Sequence, residues 1–248
     1  MNIMKRQLKI FLSLAVATVF SMVVSCSPAE GGYTEEAYFD DIFTVNKSTL
    51  QPEFSDTSFM VSNVLNYGLN TGDRAHLVLH YYWDAYSGVK PEYKIHEVVE
   101  VIPTREVSAM DSTVLAEYNT LMKLDYYELD DRYYKPVWVW NNLQNINVVY
   151  NGYFDSVDFK LMLRGVLASE EAIEFDLVAK SAYTTNVEST KLLTFDLTKV
   201  GSMLSPAQKN SLASCDSVKT KIYCKSKNSE GEIVTESFTG GKLKNIFR

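Results

Sequence analysis

Histidine, cysteine and tryptophan are scarce in this chain, with three of each among 248 residues. Three cysteines cannot build a disulfide-stapled scaffold or a cysteine-rich metal cluster. His76 and His80 have the i, i+4 spacing of helical zinc ligands. They fall in an alternating stretch, however, where four residues span about 13 Å, so one metal cannot reach both. His96 stands alone. Strand positions are the plainer reading of all three, and no metal or other cofactor is expected. Glycine (11) and proline (6) are unexceptional, which excludes collagen-like and low-complexity chains. No Gly-x-Ser-x-Gly elbow, phosphate loop or dinucleotide fingerprint occurs. Cations are outnumbered, 24 Lys and Arg against 31 Asp and Glu, for a net charge of −7. Such a chain repels phosphate backbones, so nucleic acid is not an expected partner, and anionic headgroups are a poor match.

Long apolar runs are also lacking, with one exception at the start. Lys5, Arg6 and Lys9 precede an apolar stretch from Ile10 to Val24. This is the charged and apolar pattern of a secretory signal, and it falls short of the roughly 20 residues a membrane span needs. The run ends in Val23-Val24-Ser25-Cys26, which resembles a bacterial lipobox. The expectation is a signal peptide at residues 1–25 and a diacylated Cys26 as the mature N-terminus. Each buried acyl CH2 contributes about 0.8 kcal/mol, so two or three chains anchor firmly where one does not. Residues 26–36, with Pro28, Gly31 and Gly32, read as a flexible tether. By resemblance to Gram-negative lipoprotein sorting, Ser27 rather than Asp argues against inner-membrane retention. An outer-membrane lipoprotein of the cell envelope follows, its face unassigned.

The rest reads mostly as strands. Tyr38 to Val45, Arg74 to Tyr86 and Tyr93 to Ile102 alternate, and Asn70-Thr71-Gly72-Asp73 is a turn signal. These predict a small β-barrel over residues 37–108. Residues 109–135 break the rhythm and read as a linker, with a short helix expected from Val114 to Met122. Beyond it, runs at 137–140, 145–150, 159–167, 172–181, 191–198, 218–224 and 233–238 predict a β-sandwich over 136–248. Ser229 to Glu232 marks a hairpin. Ser205 and Pro206 predict a capped helix running to Ala213.

Candidate sites are few. Tyr126, Tyr127, Tyr133 and Tyr134, with Glu128, Asp130 and Asp131, could stack sugars or hold Ca2+, though the spacing is not that of a known calcium loop. The plainer reading is a linker whose tyrosines pack on the two domains. Cys215 and Cys224 could pair in an oxidising envelope. In one straight strand they would lie about 30 Å apart, so a bridge needs an intervening turn, and two buried thiols are the alternative. Carboxylates are plentiful, but nothing singles out a glycosidase pair.

The pattern resembles the NigD-like lipoproteins of Gram-negative gut and oral anaerobes. The matching features are the lipobox at Cys26, Gly72-Asp73-Arg74 opening a strand, Trp138-Val139-Trp140, Asn142-Leu143 leading into Ile146 to Tyr150, and Thr194 to Thr198. The resemblance implies an N-terminal OB-like barrel followed by a C-terminal sandwich, and supplies no catalytic residues. Asp111-Ser112-Thr113, Asp155-Ser156-Val157 and Asp216-Ser217-Val218 resemble sites that such anaerobes O-glycosylate, at Ser112, Ser156 and Ser217. The expected role is a membrane-anchored binding or scaffolding module for an envelope protein or a glycan, not an enzyme. A carboxylate-dependent glycoside hydrolase and a fimbrial assembly subunit are the alternatives.

Overall fold

The structure is a computed structural model that describes residues 34–84, 91–129, 132–153, 156–183 and 185–244. The signal at 1–25, Cys26 and the tether to residue 33 lie outside the described residues, as do Asp130, Asp131 and Asp155. The chain divides into a small unit of residues 1–36 and 82–91 and a large unit of residues 37–81 and 92–248. The cores and contacts below belong to the large unit. No helix among the described residues is long and apolar enough to cross a membrane.

The first sheet has five strands: β1 (Thr34–Asn46), β2 (Thr49–Pro52), β3 (Phe59–Met60), β4 (Arg74–Asp84) and β5 (Glu92–Ile102). Their spatial order is β3-β2-β1-β4-β5. Alternation sets the inner face, where Phe43, Val45, Leu50, Ala75, Leu77, Leu79 and Ile95 make one core. Burial of each large apolar side chain there contributes roughly 1.5–3 kcal/mol. Leu69 and Val64 cap that core from the segment between β3 and β4. The sheet curls until Val61, just past β3, bridges Tyr93 of β5 in parallel. One bridge is not a ladder, and no sheet among the described strands closes into a barrel.

The C-terminal half is built on two further five-stranded sheets. The first takes β6 (Thr104–Glu106), β8 (Met122–Leu124), β11 (Val137–Trp140), β12 (Leu143–Asn151) and β15 (Glu188–Asp196). The second takes β7 (Ser108–Ala109), β13 (Val157–Leu167), β14 (Ala172–Ser181), β16 (Ser217–Lys227) and β17 (Ile233–Lys244), in the order β17-β16-β14-β13-β7. Between them lies an apolar core that includes Ile146, Val148, Leu161, Phe175, Phe195 and Ile222. β6 pairs in parallel with β15 and β7 in parallel with β13, so six consecutive residues visit both sheets. Val107, between them, enters the shared core. Asn141 and Asn142 (φ 47° and 63°) turn β11 into β12. Asn tolerates this left-handed backbone, which matches the twist of a hairpin. A separate two-stranded hairpin joins β9 (Tyr127–Leu129) to β10 (Arg132–Tyr134).

The fold is all-β in its main architecture, as expected. The predicted cap at Ser205 is present: its side chain accepts from the Gln208 N–H, and Gln208 returns the bond to the Ser205 N–H. The helix runs Pro206–Leu212. The helix expected from Val114 to Met122 is corrected. It spans Ser112–Glu117, capped by Asp111, and Tyr118 leaves helical geometry. Met122 and Leu124 instead form β8, where the sandwich core takes both side chains. Apolar spacing there reflects two separate burials, not one helical face.

Candidate functional site

The inner face of β12 is ordinary: Ile146, Val148 and Tyr150 fill the sandwich core. Its other face carries Asn145 and Asn147, which alternation alone would place in water. Both are buried. They are covered because the first sheet (Ile42, Ile102) and the β9–β10 hairpin (Leu129, Tyr134) pack across this face, forming a third apolar cluster with Trp138 and Leu192, and the Asn147 amide donates to the Asp125 and Tyr126 carbonyls.

At the centre of that contact lies a buried charge pair. Arg74 opens β4 and is 2% exposed; Glu53, just past β2, is 6% exposed. One guanidinium nitrogen, Nη2, donates to both Glu53 oxygens, at 2.8 and 2.6 Å. The other, Nη1, donates to Asn145 Oδ1 and Thr194 Oγ1, each at 2.5 Å. Asn145 and Thr194 are cross-strand partners on β12 and β15. The circuit closes with Asn145 Nδ2 donating to Glu53 Oε1 at 3.0 Å and Thr194 Oγ1 donating to Asn145 Oδ1 at 2.9 Å. Burial is the largest influence on both ions. It raises the Glu53 carboxyl against the charge of Arg74, and it lowers the Arg74 guanidinium. Charge-assisted bonds to both carboxylate oxygens, with Asn145 and Thr194 taking Nη1, are what hold such a pair ionised in a dry setting. The sequence reading took Arg74 and Thr194 only as parts of separate motifs and did not single out Glu53 or Asn145.

Glu53 is also the hinge to the surface. The Ser55 N–H bonds back to the Pro52 carbonyl at 3.4 Å, closing a tight turn over Pro52 to Ser55. Phe54 occupies the turn position that favours glycine, with φ of 59°. A bulky residue in this region is strained by about 1–3 kcal/mol. The turn sends Glu53 inward and leaves Phe54 52% exposed. The Phe54 ring stacks on Tyr134 (centroids 5.8 Å apart, planes 24° apart) and meets Trp140 edge-on at 5.2 Å. Tyr134 continues to Trp138 at 5.2 Å, and Trp138 to Tyr127 at 6.3 Å. Five rings therefore run in sequence from Trp140 to Tyr127.

Beside this row opens a cleft of about 560 Å³. Phe54, Tyr133, Tyr134 and Trp138 wall it, Lys135 stands at its side, and Gly240 and Gly241 of β17 close it. A Cβ on Gly240 would lie 2.2 Å from Thr220 Oγ1, and one on Gly241 3.1 Å from the Val139 backbone nitrogen. The two glycines let β17 lie directly against β11.

The sequence-predicted positions are distributed as follows. Tyr133 is exposed and Tyr134 buried, and both line the cleft. The Tyr134 hydroxyl donates to Asp41 at 3.0 Å, and Tyr127 packs on the third cluster. Tyr126 is exposed and is not among the lining residues. Cys215 and Cys224 are both buried and are not joined in a disulfide, which is the buried-thiol alternative. Burial pushes the Cys224 thiol up to about 12. Ser112 is exposed at a helix start, while Ser156 and Ser217 are half-buried. His76 faces Asp40 at 3.3 Å, and Tyr38 lies between His80 and His96, at 4.8 and 4.9 Å. No cluster of three or more metal-ligating side chains occurs among the described residues.

No protein-family model matches the chain, and no curated protein matches it. Solved structures do. A provisionally named lipoprotein of Bacteroides fragilis aligns with TM-score 0.61 at 10% identity, over 84% of this chain and 99% of the other. A provisionally named toxin-related protein of Parabacteroides distasonis aligns with TM-score 0.53 at 13% identity, over 85% and 96%. A NigD-like immunity protein of Bacteroides caccae aligns with TM-score 0.50 at 10% identity, over 86% and 98%. The chain thus shares its fold, over nearly their full lengths, with proteins of anaerobes that include a lipoprotein and a NigD-like protein.

Proposed function

We propose that this protein is a lipid-anchored envelope binding module, held through Cys26 to the outer membrane, that receives a neutral glycan in the aromatic cleft. Phe54 is the observation that carries this reading. Folding gains little from a half-exposed ring held on strained backbone. A binding site gains a rigid face for the apolar side of a sugar. Strain of this kind persists where surrounding structure over-determines it, and it clusters at ligand sites. Binding without turnover is favoured over hydrolysis by the state of Glu53. Among the described residues it is the one carboxylate lining the cleft, and both its oxygens already accept from Arg74. A hydrolase needs two carboxyls free to move protons.

Strand order β3-β2-β1-β4-β5, with β3 reaching β5 in parallel at Val61, supports an OB-like first module. The NigD-like and lipoprotein neighbours support a distant kinship in fold.

The test is a panel of neutral oligosaccharides titrated into the full chain and followed by tryptophan fluorescence and calorimetry. Binding is expected to be lost in Phe54→Gly and Tyr133→Ala, both at cleft-lining positions, while each variant melts as a folded protein. Absence of binding across the panel, or binding that survives both changes, overturns the reading.

A further inference from the structure

The outer face of the β16–β17 ribbon is charged unlike the rest of the chain. In β16 the even positions, Val218 to Ser226, are buried, and the odd ones point out. Those outward residues are Ser217, Lys219, Lys221, Tyr223, Lys225 and Lys227. Register fixes their neighbours on β17. Lys227 faces Ile233, Lys225 faces Thr235, Tyr223 faces Ser237, and Lys221 faces Thr239. Past the bulge Lys219 faces Lys242 and Ser217 faces Lys244. The two strands' outward positions therefore carry six lysines, four hydroxyl residues from Ser and Thr and one tyrosine, with no acid of their own, in a chain of net charge −7; β14 sets Glu174 and Asp176 beside Lys221 and Tyr223 on the same face, and the Tyr223 hydroxyl donates to Glu174. The lone acid of β17, Glu236, pairs with Cys224 on the other side.

This arrangement works against folding. Like charges directly opposite on neighbouring strands destabilise a sheet, and Lys219 and Lys242 stand in that relation. Among the described residues, Lys221 alone of the six is in a salt bridge, to Glu170 at 3.0 Å. From Lys219 to Lys227 the row extends about 26 Å, with successive side chains about 6.6 Å apart. Next to it Arg164 lies over the Tyr223 ring at 4.4 Å. There a cavity of about 380 Å³ opens, lined by Tyr118, Arg164, Asp176, Tyr223, Lys225 and Ser237 among others.

We infer that this face binds an acidic polysaccharide, a chain of carboxylated or sulfated sugars. Charge complementarity selects a polyanion, and the straight row selects a linear one. Hydroxyls at Thr235, Ser237 and Thr239 beside the lysines suit the hydroxyls of a sugar chain, which a lipid headgroup array does not present. The site is separate from the aromatic cleft and does not depend on it.

The test uses the full chain with Cys26→Ser, which leaves it without acyl chains. Binding is measured to heparin, polygalacturonate, neutral dextran, duplex DNA and phosphatidylglycerol vesicles over a range of salt. The expected result is salt-sensitive binding of heparin or polygalacturonate and none of dextran. In the triple variant Lys219→Gln, Lys225→Gln, Lys227→Gln, affinity is expected to fall at least tenfold. The slope of log affinity on log salt should flatten by about one per lysine removed. A control triple at Lys47, Lys94 and Lys209 should leave both unchanged, as should Phe54→Gly. Equal or tighter binding of vesicles or DNA, no loss in the ribbon triple, or equal loss in the control overturns the proposal. Melting of the ribbon triple at or above the unmodified temperature, as relieved repulsion predicts, separates lost contacts from lost fold.

Discussion

Replacing Arg74 with methionine would remove one ion and leave the other stranded. Methionine keeps the length and much of the volume of the arginine stem, so the change reports chiefly on charge. Glu53 would retain its bond from Asn145 Nδ2 at 3.0 Å but lose both bonds from Nη2. Asn145 and Thr194 would lose a shared donor as well. Breaking a buried pair from one side costs about 3–5 kcal/mol. For a chain of this size each kcal/mol moves Tm by about 2–4 °C, so a fall on the order of 10 °C is expected. The penalty should depend on pH. Without Arg74, burial holds the Glu53 carboxyl above its unfolded value of about 4.3. A carboxyl raised in the folded state contributes stability that is complete below the unfolded pKa and is lost as pH rises through the folded one. Arg74→Met should therefore be much closer to the unmodified protein at pH 4 than at pH 8. Adding Glu53→Leu should recover most of the loss, since a buried ion pair and an apolar substitute differ little overall. With Glu53→Leu alone as the fourth protein, urea melts followed by tryptophan fluorescence at both pH values complete the double-mutant cycle. A loss below about 1 kcal/mol at pH 8, or one equally large at pH 4, would refute the account of this clamp.

Other outcomes follow from single residues. Gly240→Ala places a methyl 2.2 Å from Thr220 Oγ1, and overpacking at about 1–3 kcal/mol should appear as a lower urea midpoint. In the native protein at pH 8, Cys224 should resist iodoacetamide, because burial lifts its thiol to about 12; mass spectrometry in urea should then show both Cys215 and Cys224 alkylated. Phe54→Gly removes a strained side chain from a position that favours glycine, so its melting temperature should match or exceed that of the unmodified chain. Cys26→Ala should abolish palmitate labelling in cells, and a labelled mutant would sink the lipoprotein reading.

Strands were the legible part of this sequence. A β-rich run placed Val137–Trp140, and alternation placed Ala172–Ser181, with their observed ends; a sheet with one buried face prints a period of two on its residues. The capped helix at Ser205 was equally readable, since Ser205 and Pro206 occupy positions that chemistry restricts. The clamp was not. Glu53, Arg74, Asn145 and Thr194 are scattered over 141 positions, and each by itself looks like a polar residue on a solvent face. Asn145 and Asn147 sit at outward positions of β12, and the first sheet and the segment from Asp125 through the β9–β10 hairpin, packed over that face, bury them. Phe54 left no signal either, for an aromatic residue in a turn gives no hint of its φ. The lysine row did leave one, in the alternation of Lys219, Lys221, Lys225 and Lys227, but whole-chain acidity concealed it.

The six residues from Thr104 to Ala109 set the order in which this molecule can assemble. They join β15 at Thr194 and β13 at Met162, some 90 and 54 positions further along. Neither sheet of the sandwich has its full set of strands until this early segment returns to meet late ones. Contacts so distant along the chain require costly loop closure before they repay it, so refolding should be slow for a protein of this length. A C-terminal fragment beginning at residue 110 would lack an edge strand from both sheets and Val107 from the core. The two halves are therefore spliced through a shared segment, not merely placed side by side, and a cut there should unravel the second while sparing the inner core of the first.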